Sequence, residues 1–161
     1  MKKQSLVLVV FVTLGLPMSA AWAGAGHGSG HDHDTAISAA GQVGSLKKVS
    51  RTIKINTLDT MRYSKENIQA KPGETVRFVV TNTGKIKHEF AIGTREEQVE
   101  HAKMMASMPG MEHDEGNAVT LAPGETKELI WQFGKAGAVE IACHLPGHYE
   151  AGMKTGVNVK K

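Results

Sequence analysis

The tetrapeptide Pro-Gly-Glu-Thr occurs twice in this chain, at residues 72–75 and 123–126, and each copy leads straight into a run of β-forming residues. Pro followed by Gly marks a sharp turn. Two identical turns ahead of two strands read as equivalent corners of a sandwich, not as a duplicated domain. The rest of the chain beyond residue 50 agrees. Residues 52–56 alternate Ile53 and Ile55 with polar side chains, the pattern of a half-buried strand. Further short β-rich runs fall at 76–82, 89–92, 118–121, 128–133, 139–142 and 155–159, with 61–64 and 67–70 continuing an extended path. About seven or eight short strands separated by Gly and Pro turns predict an all-β fold, an antiparallel Greek-key β-sandwich.

One segment departs from that pattern. Residues 95–108 hold Glu, Gln, Ala, Lys and Met with no Pro or Gly, so a short helical insert is expected there, ended by Pro109-Gly110.

The N-terminal residues have the make-up of an export signal. Lys2 and Lys3 form a charged start, residues 6–16 an apolar run, and Ala21-Trp22-Ala23 a small-residue cleavage site. The run is too short for a comfortable membrane span, which needs about 20 apolar residues. No cysteine lies near the cleavage point, which excludes a lipid anchor there. The expectation is therefore a signal peptide at 1–23 cleaved near Ala23, a flexible Gly/His-rich tail at 24–48, and one folded domain at 49–161, exported to the periplasm. Removing 1–23 takes away two lysines and no acid, lowering the formal charge from +3 to +1. The basic balance thus does not point to nucleic acid.

Chemistry concentrates at residues 143–153, Cys-His-Leu-Pro-Gly-His-Tyr-Glu-Ala-Gly-Met, between two expected strands. Cys143 is the chain's single cysteine, so it can make no internal disulfide. A thiolate, an imidazole and a thioether at Cys-x4-His-x4-Met spacing, with Pro146-Gly147 to fold the loop, supply three donors of a mononuclear copper site. Such a site is His₂Cys in a plane with a weak axial Met. His88, at the start of the strand carrying Phe90 and Ile92, is the best placed second histidine. His101 and His113 fall in the insert, and His144 should face away from Cys143 as strand side chains alternate, a polar residue on the outer face.

These residues carry a family resemblance. Pro72-Gly73-Glu74-Thr75-Val76-Arg77-Phe78, Asn82-Thr83-Gly84, His88-Glu89-Phe90 and the loop 143–153 make residues 50–161 resemble a cupredoxin of the plastocyanin/azurin type. More narrowly, the chain is similar to the small periplasmic cupredoxins linked to bacterial copper tolerance, the CopI type. The resemblance implies type 1 copper with His88, Cys143 and His148 as equatorial ligands and Met153 as the axial one. His148, on short loop flanks, is then the expected electron port.

Thioethers and imidazoles are also in excess. His101, Met104, Met105 and Met108 follow i, i+3, i+4, i+7 spacing on one helical face, with Met111 and His113 just beyond. Such a stripe either packs on the sandwich or holds a second, exchangeable Cu(I). The reading favours packing for Met105 and copper for Met108, Met111 and His113, with His101 and Met104 as further candidate ligands. His27, His31 and His33 in the tail are candidate metal scavengers.

The functional expectation is a periplasmic copper-tolerance protein with a redox-active Cu(I)/Cu(II) centre and no enzyme activity. The alternatives are an electron shuttle to a respiratory partner and cuprous oxidase activity. The expected partners are copper ions and a redox or copper-trafficking protein, with no nucleic acid, no membrane anchor after cleavage, and the chain acting as a monomer. No hydrolase constellation is present in the sequence.

Overall fold

A computed structural model describes residues 38–108, 110, 116–135 and 137–161. The expected signal peptide, the tail histidines His27, His31 and His33, and the candidate ligands Met111 and His113 lie outside the described residues.

Among the described residues ten strands and one α-helix follow in order, with a 3₁₀ turn at Leu46–Lys48 after the first strand. They are β1 (Gly41–Val43), β2 (Arg51–Leu58), β3 (Arg62–Tyr63), β4 (Ile68–Ala70), β5 (Thr75–Asn82), β6 (His88–Gly93), α1 (Arg95–Ser107), β7 (Ala118–Leu121), β8 (Thr126–Phe133), β9 (Gly137–Ala142) and β10 (Lys154–Val159). They form two five-stranded sheets, ordered β1-β8-β5-β2-β3 and β4-β10-β9-β6-β7. The expected sandwich is present, with one refinement. β2 pairs with β5, and β4 with β10, in parallel, so both sheets are mixed. Parallel neighbours cannot be joined by a hairpin, which forces the chain to cross between sheets.

The two Pro-Gly-Glu-Thr segments do form matching corners. In each, Gly takes a positive φ (75° at Gly73, 78° at Gly124) and the Glu amide closes the turn on the residue before Pro. The glutamate side chain then turns back: Glu74 Oε2 accepts the Lys71 N–H and Glu125 Oε2 the Ala122 N–H, both at 2.8 Å. Glycine at the third position is what a type II turn requires, and the glutamate satisfies an amide the turn would leave open.

Alternation fills the core. Val76, Phe78 and Val80 of β5 point inward with Leu129, Trp131 and Phe133 of β8, against Phe90 and Ile92 of β6 and Ile141 of β9. Phe78 lies between Phe90 and Phe133, with ring centroids 5.3 and 6.3 Å away. β6 differs from the others: every residue of it is buried. Its inner face, His88, Phe90 and Ile92, meets the core, while its outer face, Glu89 and Ala91, is roofed by α1.

The helix starts where sequence expects. Thr94 caps it with a full capping box, its Oγ1 accepting from Glu97 N and its own N–H donating to Glu97 Oε2. Gln98 and Met105 are buried beneath it, whereas Met104 and Met108 are each 36% exposed. The expected single face therefore splits: Met105 packs, as favoured, and the two flanking thioethers sit at the helix edge.

The first 11 described residues correct the expected tail boundary. Ala40 is buried, its carbonyl accepts from Trp131 Nε1 at 3.2 Å, and β1 pairs with β8. A three-residue edge strand is too short to show alternation, so sequence pattern misses it.

Candidate metal centre

The loop after β9 is folded by its own backbone. The His148 N–H donates to Leu145 O at 3.0 Å, closing the turn over Pro146-Gly147, and Met153 N–H returns to His148 O at 3.0 Å. Cys143 N–H then donates to Met153 O at 3.1 Å, extending the β9–β10 ladder, in which Ala142 faces Lys154, by one rung. Residues opposite each other in an antiparallel ladder project to the same side. Cys143 and Met153 thus share a face, and both are fully buried in the core cluster.

His88, at the first position of β6, meets this loop. Its imidazole is wholly buried, 5.2 Å ring to ring from His148. Cys143 Sγ lies 3.3 Å from His148 Nδ1. One donor atom from each of His88, Cys143 and His148 lies within 4.8 Å of the others, and among the described residues no other group of His, Cys, Asp and Glu converges so closely.

The polar bookkeeping at His88 is incomplete without a ligand. Its Nε2 lies 3.1 Å from Asp59 Oδ1, while its Nδ1 is buried with no hydrogen-bond partner. A buried unpaired ring nitrogen carries a desolvation cost unless something coordinates it. A carboxylate on the far nitrogen of a metal-binding histidine fixes the ring and its tautomer.

Asp59 was not singled out by the sequence, being 29 residues away in a turn between β2 and β3. Its other oxygen accepts the Lys85 N–H at 2.7 Å, so it also ties down the segment before His88. That amide and His88 hold its carboxyl below the usual range. Gly84 makes room for it: a Cβ there would fall 1.9 Å from Asp59 Oδ1. Asn82 completes the brace, donating to Ile86 O and Leu121 O and accepting from Gly84 N. Asp59→Ala is expected to weaken copper binding by about 10–100-fold, read by competition with a copper chelator.

Electrostatics suits a soft cation. Burial pushes the Cys143 thiol up to about 12, against the opposing pull of the Glu89 and Leu145 backbone N–H groups. The Glu89 N–H lies 3.3 Å from Sγ. At neutral pH the metal-free thiol keeps its proton, and a bound metal must displace it. Burial, and then the neighbouring His88, lower His148, which leaves its imidazole neutral and ready to coordinate. Thiolate with two imidazoles and a nearby thioether is the donor set that suits copper.

His144 departs from expectation. It does face away from the Cys143 side, but it is not on an open outer face. It is 8% exposed, with Nε2 2.8 Å from Gln98 Oε1 and its ring stacked on Tyr149 at 4.9 Å. Alternation gave its direction correctly and could not reveal that α1 covers that side. His101, whose Nε2 lies 2.8 Å from Glu89 Oε1, belongs to this same covered layer and not to the centre.

Fold and site together define a class. Residues 48–160 match the family described as copper binding proteins, plastocyanin/azurin family, and the chain belongs to it. Within that family it is 46% identical over 120 residues to the copper-resistant cuproprotein CopI of Rubrivivax gelatinosus, covering 74% of this chain and 73% of that protein. It is 42% identical over 124 residues to the CopI of Vibrio cholerae serotype O1, covering 76% and 73%. These identities place it among the CopI-type cuproproteins. Reduced auracyanin from Roseiflexus castenholzii shares the fold with a TM-score of 0.59 at 21% identity, over 70% of this chain and 99% of that one.

Proposed function

We propose that this chain is a periplasmic type 1 copper protein of copper tolerance, with His88, Cys143 and His148 as the strong ligands and Met153 as the weak axial one. The observation that carries the reading is the buried, unpartnered His88 Nδ1 beside Cys143 and His148. Copper held there supplies a one-electron Cu(I)/Cu(II) couple. The protein's own part is to hold the donors still. Asp59 fixes His88, the rung between Cys143 and Met153 fixes the thioether's side, and the turn at 145–148 fixes His148. A frame braced in this way changes little between oxidation states, which suits electron exchange. His148, partly exposed, is the edge through which a redox partner would be met.

Kinship to proteins named for copper resistance supports tolerance over plain electron shuttling. Export fits that role, with the leader removed near Ala23. Among the described residues no helix is long and apolar enough to cross a membrane. Met104 and Met108, exposed at the edge of α1, remain candidates for an additional Cu(I), together with His101, Met111 and His113.

The test is a copper-sensitive host lacking its own periplasmic copper defence. Expression of the full chain should restore growth on copper, and Cys143→Ala should not. Unaltered copper survival with the wild-type chain, alongside good electron exchange with a c-type cytochrome, would favour the shuttle instead. Met153→Leu is expected to keep copper while shifting the colour and the reduction potential, measured by absorption and by redox titration.

A further inference from the structure

The turn between β2 and β3 touches both sides of the proposed centre. Asp59, at its start, holds His88 and the Lys85 N–H. Arg62, the first residue of β3, reaches the opposite side. Its Nη1 donates to Met61 O at 2.7 Å and, across 89 residues of chain, to Ala151 O at 2.8 Å. The guanidinium lies against Gly152, where a Cβ would fall 2.7 Å from Nη1. Gly152 has a φ of 98°, so both its backbone and this close approach require glycine. The next residue is Met153.

No acid draws Arg62 to that place. Both its partners are backbone carbonyls, and among the described residues no carboxylate pairs with it. An exposed arginine held only by carbonyls has to be aimed by its own backbone, and here the backbone is fixed on both sides. Met61 adopts a φ of 59°, a left-handed conformation uncommon outside glycine. Its side chain packs on the core, and its N–H closes the turn on Leu58 O at 3.0 Å. Tyr63 is buried, its ring against Phe90 and its OH donating to Glu89 O at 2.6 Å. Strained backbone of this kind persists where surrounding contacts over-determine it, and it concentrates at functional sites.

The far side of the contact is the segment that places the thioether. It turns back through Ala151 N–H to Gly147 O at 3.1 Å, Gly152 N–H to Tyr149 O at 2.9 Å and Met153 N–H to His148 O at 3.0 Å. A weak axial bond to copper does little to hold its own ligand in place, so the position of the Met153 sulfur follows from how firmly this turn is kept. We infer, on the copper reading above, that Arg62 is a positioning residue for Met153. It clasps the turn from outside and fixes where the thioether stands relative to the other three donors. Asp59 and Arg62 thus let one short turn steady an equatorial and an axial ligand together.

The test compares wild type, Arg62→Met and Arg62→Lys in two measurements on the full chain. In the metal-free protein, hydrogen exchange of the Gly152 and Met153 amides should be roughly three- to tenfold faster in Arg62→Met, the effect of losing one hydrogen bond. Core amides such as those of Phe78 and Ile141 should keep their rates. With copper bound, Arg62→Met should shift the visible thiolate band in the same direction as Met153→Leu, and by less. Arg62→Lys keeps the charge and loses the planar fork, so it should follow Arg62→Met in both. Unchanged exchange at 152 and 153 overturns the inference, and so does acceleration spread evenly over the domain, which marks a merely structural role. A lysine variant with wild-type exchange and colour overturns it too, because charge alone would then suffice. A wild type lacking the thiolate band would instead sink the copper reading, while the exchange rates still decide the clasp.

Discussion

Cys143→Ala is expected to remove the visible charge-transfer band of the copper-loaded protein completely while leaving the fold intact. The band requires a thiolate bonded to Cu(II), and Cys143 is the chain's single sulfur of that kind. The loss of affinity should exceed the 10–100-fold, roughly, that follows removal of an outer partner of a ligand. The side chain is small, and its loop is held by backbone bonds that alanine keeps, among them the Cys143 N–H to Met153 O. Circular dichroism should therefore match the wild type while absorption and chelator competition do not. Copper taken up by this variant through its remaining histidines should be pale and easily removed.

The second large effect is on stability. Phe78 is fully buried at the middle of β5, against Phe90 and Phe133. Phe78→Ala should cost about 3–5 kcal/mol through lost burial and the cavity left behind. A domain of this size has about 5–15 kcal/mol in total, so the variant should sit near its unfolding threshold. Urea denaturation would show a much lower midpoint with little change in slope. Copper should restore part of the loss, because a ligand present at 100 times its Kd stabilises the folded state by about 2.7 kcal/mol. Recovery on adding copper, absent in Phe78→Ala combined with Cys143→Ala, would tie the stabilisation to the proposed centre.

Much of the fold could be read from local pattern because the relevant forces are local. The two Pro-Gly-Glu-Thr turns declare their geometry in four residues, and alternation in β2, β5 and β8 marks the inward face. The loop from Cys143 was equally legible, since its donors are close in sequence and braced by one another. What escaped depends on contacts between distant segments. Asp59 lies 29 residues from His88, and no periodicity links a turn carboxylate to a histidine on another strand. Glu89 opened the expected β-rich run 89–92, and nothing in that run shows that its side chain joins the helix and the cysteine loop. His144 shows the same limit from another side, because alternation fixes a direction and not what lies there. β1 escaped for want of length.

The central claim is that His88, Cys143 and His148, with Met153 behind them, hold one copper as a thiolate complex. The most direct measurement is titration of the purified, metal-free protein with Cu(II), followed by visible absorption and electron paramagnetic resonance. An intense thiolate-to-Cu(II) band should grow to a plateau at one equivalent, with the narrow hyperfine splitting of a type 1 centre. A protein that binds stoichiometric Cu(II) and stays colourless would contradict it.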